Sequence, residues 1–152
     1  MIMQAVFTDL PAILALQYLA YQSEAILLQN FSIPPLLQTL EELQAEFEAG
    51  TILKAVEDGE IIGSVRGRRE GASVSIGKLI VHPDHQGKGI GTALLAAIER
   101  AYPGLRYELF TSSKSEKNLR LYERHGYQRF AEKRVSSDLT FLYLEKLPVK
   151  PA

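Results

Sequence analysis

The chain has no cysteine. That excludes disulfides, thiolate metal sites and a thiol nucleophile, so any group transfer must manage without an enzyme thiol. Its three histidines, His82, His85 and His125, are too scattered for a metal cluster, and no metal is expected. Also missing is any apolar run near the ~20 residues needed to cross a bilayer. The opening MIMQAVFTDLP lacks the basic start and small-residue cleavage site of a secretory signal. The expected compartment is the cytoplasm, with no membrane partner. Nor is there an excess of one charge: 17 Lys and Arg stand against 18 Asp and Glu, mixed along the chain, which gives no footprint for nucleic acid. The local basic character of Lys114, Lys117, Arg120 and Arg124 reads first as a solvated helix face.

What is present fits one α/β (α+β) domain. At 152 residues, 46% hydrophobic and 23% charged, the chain is long enough for one real core. Residues 1–147 read as that domain and 148–152, with Pro148 and Pro151, as a short flexible tail. A strand over 2–7 precedes Thr8 and Asp9, which can cap a helix whose first turn suits Pro11 and which runs to about Gln22. Residues 23–35 look irregular, and a second helix over 36–49 stops at Gly50. Asp58-Gly59 joins two β-rich runs as a hairpin, and another strand spans about 73–82. Ile90, Leu94, Ile98 and Ala101 form one apolar helical face ended by Tyr102-Pro103-Gly104. LRYELFT is a strand. Ser113 and Glu116 have capping-box spacing for a helix over 114–125, which Gly126 can end. Two strands, YQRFAEKRV and LTFLYLEKL, close the chain. The order predicts a mixed, mostly antiparallel sheet of about seven strands flanked by about four helices.

The stretch VHPDHQGKGIGTALLAAIER packs three glycines into five residues just before a helix. Bare backbone at a helix N-terminus is a common way to hold phosphate, because free N–H groups point at the ligand. A dinucleotide fingerprint would begin Gly87-Lys88-Gly89 but has Thr92 in its last position, and a hairpin and two helices precede it. A P-loop lacks its Gly-Lys-Ser/Thr. A plain tight turn is the remaining simple reading.

The turn does not stand alone. Gln86-Gly87-Lys88-Gly89-Ile90-Gly91-Thr92 matches a Q/R-x-x-G-x-G/A signature after a strand ending LIVHP, and LRLYERHGY places Tyr122 four residues before Gly126-Tyr127. In both respects the chain resembles the GNAT superfamily of N-acetyltransferases, specifically over about 52–146 and by topology before that. The resemblance implies an enzyme that moves an acetyl group from acetyl-CoA to a primary amine by direct attack in a ternary complex. It implies that Gln86, Gly87, Lys88, Gly89, Ile90, Gly91 and Thr92 hold the coenzyme A pyrophosphate. The pantetheine arm would pair with the backbone of Leu79, Ile80 and Val81, with the Leu79 N–H polarising the thioester carbonyl. Tyr122 would protonate the departing thiolate.

Two departures from the family pattern leave gaps. Strand positions that are acidic in relatives are Ser75 and Phe110 here, so the base is sought at Glu108, on the face of Phe110 by alternation, at Glu24, or in a water relay. Where many relatives carry a cofactor-touching asparagine, this chain has Ser115, with Asn118 one turn on as a partial substitute. Tyr21 and Glu24, with Tyr18, are candidates to line an acceptor pocket, although Tyr18 and Tyr21 serve equally as a core stripe. The acceptor, a small-molecule amine or a peptide or protein amine, is open, and a homodimer is possible. A binding module that senses acyl-CoA without turnover is the alternative from another functional class.

Overall fold

A computed structural model describes residues 1–149. After β1 (Ile2–Gln4) come four helical segments, α1 (Leu10–Ala20), α2 (Gln22–Leu28), α3 (Pro34–Leu37) and α4 (Leu40–Ala49). Then follow β2 (Thr51–Glu57), β3 (Glu60–Glu70), β4 (Ser73–Val81), α5 (Ile90–Ala101), β5 (Arg106–Ser112), α6 (Glu116–Arg124), β6 (Gln128–Ser136) and β7 (Leu139–Lys146). The seven strands form one sheet in the order β1-β2-β3-β4-β5-β7-β6, antiparallel except where β4 meets β5. This is the mixed α/β sheet expected, and the four helices of nine residues or more are α1, α4, α5 and α6.

Local chemistry explains the boundaries. Asp58 and Gly59 both take left-handed φ, 53° and 77°, the pair a two-residue hairpin turn needs. Thr39 and Glu42 form a capping box that starts α4 at Leu40, four residues later than the apolar pattern suggests. The segment read as irregular is helical over Gln22–Leu28, broken from α1 only at Tyr21 and ended at Gln29, φ 53°. The helix expected from 114 begins instead at Glu116. Its N-cap, Ser115, makes no side-chain capping bond, and its hydroxyl donates to Glu24.

One face of the sheet is covered by α5, whose Leu94, Leu95 and Ile98 are buried with Leu53, Val65, Val74 and Leu109. The other, over β2 to β4, is covered by α1 and α4, which bury Leu10, Ile13, Leu14 and Leu43 against Ile52. The close approach of backbone to backbone is sharpest at Gly50, where an added Cβ would stand 2.4 Å from the Gly67 carbonyl oxygen. Gly50→Ala is therefore expected to shift β2 against β3 at a cost of ~1–3 kcal/mol. Thermal unfolding should show a midpoint lowered by about 3–10 °C; an unchanged midpoint would mean the strand start yields freely.

Candidate active site

The parallel pairing of β4 and β5 lasts three residues, Ser73 with Arg106, Val74 with Tyr107 and Ser75 with Glu108. Beyond it the strands part. β4 stays on β3 to Val81, and β5 stays on β7 to Ser112, so the facing edges of residues 76–81 and 109–112 carry no ladder bonds. The cause lies in β4. Between the pairs Arg66–Gly77 and Ser64–Ile80 it holds one residue more than β3, a bulge at Lys78 and Leu79 that bends the strand away. An internal sheet edge left open in this way can take an extended, amide-bearing ligand as an added strand. Leu79, Ile80 and Val81 lie along it.

At the end of this edge sits the glycine turn. Gly87 and Gly89 have φ of 79° and 81°, with open space where their Cβ atoms would be. The first helical bond of α5 is from the Ala93 N–H to the Gly89 carbonyl, and the Ile90, Gly91 and Thr92 amides make none to the described residues. Gly91 is helical, and its added Cβ would stand 3.8 Å from Leu121 and from Val81, between α6 and the open edge. No steric conflict there requires glycine. The open space at Gly87 and Gly89 and the Ile90–Thr92 amides would fit the diphosphate of coenzyme A. Lys117, Arg120 and Arg124 line a depression on α6, and Lys117 reaches the Gln86 side chain at 3.0 Å. Lys88 meets His85 at 3.2 Å, and Thr92 meets His125 at 3.2 Å.

The inner face of α6 borders the split. Ser115, Asn118 and Tyr122 share it at i, i+3 and i+7. Asn118 donates to the Thr111 hydroxyl at 3.4 Å, fixing the helix to β5. Tyr122 is buried, 7% exposed, yet its hydroxyl has no hydrogen-bond partner among the described residues, and the same holds for Tyr21. Burial pushes the Tyr122 phenol well above its ordinary pKa, with Tyr21 and Glu24 adding to the effect. Tyr21 is pushed up to about 12, by burial first and by Glu24 second. Glu24 accepts a hydrogen bond from the Ser115 hydroxyl, which ties α2 to the start of α6. The structure thus brings Tyr21, Glu24, Ser115 and Tyr122 together.

Glu108 stands elsewhere. It lies at the closed end of the split, paired with Ser75, and its carboxylate faces Arg106 at 3.5 Å while Arg106 also holds Glu145 at 2.8 Å. Phe110, on the same face, packs with Phe141 and Tyr143 at 5.0 and 5.4 Å between ring centroids. Tyr18 donates to the Gln38 carbonyl and so belongs to the scaffold of α1 and α3. Two charged residues beside the site were not singled out from sequence. Arg66 is buried, with Nη1 donating to Gln38 (3.0 Å) and Glu46 (2.5 Å), Nη2 donating to Gln17, and Nε unpartnered. Lys78 occupies the bulge. For Lys78 the signal was present, a lone cation inside the apolar run SIGKLIV; Arg66 is masked by Arg68 and Arg69 just after it.

The fold matches the ribosomal-protein-S18-alanine N-acetyltransferase of Escherichia coli at TM-score 0.80 and 19% identity, over 100% of this chain and 95% of that one. It matches the PaiA N-acetyltransferase of Thermoplasma acidophilum, solved in complex with coenzyme A, at 0.80 and 16%, over 97% and 98%. Residues 48–129, more than half of the chain, match the acetyltransferase (GNAT) domain family, and the protein belongs to it. Among curated proteins, YqkA of Bacillus subtilis (strain 168), called a UPF0157 protein, is 30% identical over 118 residues, 77% of this chain and 34% of that protein. The chain spans no more than about a third of the length of the curated relatives it matches. Among the described residues no helix is long and apolar enough to cross a membrane.

Proposed function

We propose that this domain transfers an acetyl group from acetyl-CoA to a primary amine by direct attack, with both substrates bound. The observation that carries the reading is the open edge of β4 running from the bulge to a glycine cradle whose Cβ positions and first helical amides are all free. Acetyl-CoA supplies the activated acetyl thioester. The α5 amides and the adjacent Lys117, Arg120 and Arg124 hold its phosphates, and the helix dipole adds roughly 0.3–1 kcal/mol for an anion there. The open edge aligns the pantetheine arm, and the Leu79 N–H faces the thioester oxygen as negative charge grows on it.

Proton handling falls to the cluster at α6. An alkyl amine with pKa near 10.4 is neutral only ~0.04% of the time at pH 7. Glu24 is the base in this reading: it belongs to the cluster around Tyr122, and Ser115 orients it, whereas Glu108 is held by Arg106. Tyr122 faces the departing sulfur. A phenol kept this firmly protonated is a poor net proton source for a thiolate, whose parent thiol has pKa ~8.5. It acts as a hydrogen-bond donor that stabilises the leaving sulfur.

Isothermal titration with acetyl-CoA tests the cofactor half. Wild type should bind, and Gly91→Glu should weaken binding by at least about tenfold while leaving the fold intact, since an acid in the first helical turn favours the helix but fills the cradle with negative charge. Absence of binding by the wild type to any acyl-CoA would sink the proposal.

A further inference from the structure

Lys78 is costly where it stands. It is a non-glycine residue in the left-handed region, φ 49°, at the bulge that opens the split, a conformation that strains an ordinary side chain. Its neighbour Leu79 turns into the core under α5. Lys78 turns to the opposite face, beneath α1, where Arg66 and Glu46 both act on its charge. Burial, and then Arg66, lower its pKa from the ordinary lysine value. No described residue accepts a hydrogen bond from the ammonium or forms an ion pair with it. Glu46, the nearby acid, is bound to Arg66 at 2.5 Å. A half-buried ammonium with no partner is unfavourable. Any neutral side chain would remove that cost.

The location gives the charge a use. Lys78 immediately precedes the Leu79 amide, and the acceptor nitrogen must come within roughly 3–3.5 Å of the acetyl carbon polarised there. A polycation arriving at that point meets both Lys78 and Arg66. An acceptor with an anion close to its amine is attracted instead, while its amine end lies toward Glu24 and Tyr21. Arg66 cannot itself be the anchor, because its terminal nitrogens are taken by Gln17, Gln38 and Glu46 and its Nε is sealed from solvent. It supplies fixed charge behind Lys78.

We propose that Lys78 binds a carboxylate of the acceptor, so that the amine acetylated is that of a free amino acid or a similarly compact amino carboxylate. This rests on the acetyl-transfer reading and selects among its acceptors, partly by repelling cationic amines.

The test is a thiol-release assay with each proteinogenic L-amino acid set against its own carboxamide and against putrescine and spermidine, run on protein already shown to bind acetyl-CoA. At least one acid should be acetylated with kcat/KM about 30-fold or more above its carboxamide, the range expected when a desolvated charge pair loses one partner. In Lys78→Met that ratio should fall to near one through a raised KM for the acid, with acetyl-CoA affinity unchanged. Lys78→Arg should restore most of the preference. If carboxamides or polyamines are acetylated as well as the acids, or if Lys78→Met keeps the preference, the inference is wrong while the acetyl-transfer reading stands. Failure of acetyl-CoA to bind removes both.

Discussion

Tyr122→Phe should leave acetyl-CoA affinity within about twofold of wild type and lower kcat by about 10²–10³, the loss seen when one preorganised donor to a developing charge is removed. The substitution deletes one oxygen. The ring packs among Leu119, Tyr127 and the sheet residues of the main core, and its centroid lies 6.0 Å from that of Tyr127. Phenylalanine keeps those contacts. Because the hydroxyl has no partner among the described residues, its removal orphans none of them and stability should be unchanged or slightly higher. Steady-state kinetics beside calorimetry reads both numbers. A phenylalanine variant with full kcat would mean that the hydroxyl does not meet the sulfur, and would favour a non-catalytic acyl-CoA-binding role for the domain.

The comparison of Tyr122 with Glu24 shows what the sequence could reveal about this site. Tyr122 was singled out by a family resemblance that rests on local pattern: a helical face, a helix-ending glycine and an aromatic at fixed offsets. The glycine turn was legible for the same reason, since a turn and the helix it caps are neighbours in the chain. The hairpin at Asp58-Gly59 and the succession of elements also follow from short-range signals, whereas the insertion of β7 between β5 and β6 does not. The pairing of Glu24 with Ser115 does not, because it joins residues 91 apart, and no periodicity reports a contact across that distance. The start of α6 also lies two residues later than the capping pattern at Ser113 and Glu116 pointed to, because the N-cap is Ser115. The bulge at Lys78 was hidden in a different way. One extra residue in β4 shows only against the register of β3, which the sequence of β4 alone does not contain. Glu108 illustrates the limit of alternation, which placed it on the right face of β5 but could not tell the closed end of the split from the open one.

Glu24→Gln is expected to have the other large effect, a fall of about 10²–10⁴ in kcat/KM at neutral pH, the usual contribution of a positioned base. The amide is a close test of the proton role alone. Its oxygen can still accept from the Ser115 hydroxyl, so the tie between α2 and α6 survives. The acidic limb of the kcat/KM profile should become shallower by one proton, because the group whose protonation shuts the reaction down is gone. Activity should then recover with rising pH about tenfold per unit, following the neutral fraction of the amine itself. Ser115→Ala makes the complementary change, keeping the carboxylate but freeing its orientation, and should cost only about tenfold with the limb retained. Glu108→Gln should leave the limb in place, since Arg106 keeps Glu145 and neither approaches Tyr122. A Glu24→Gln enzyme that preserved both rate and limb would transfer the role to a chain of waters through the same split. Tyr21 would then be the next group to change, as its hydroxyl too has no protein partner beside Glu24.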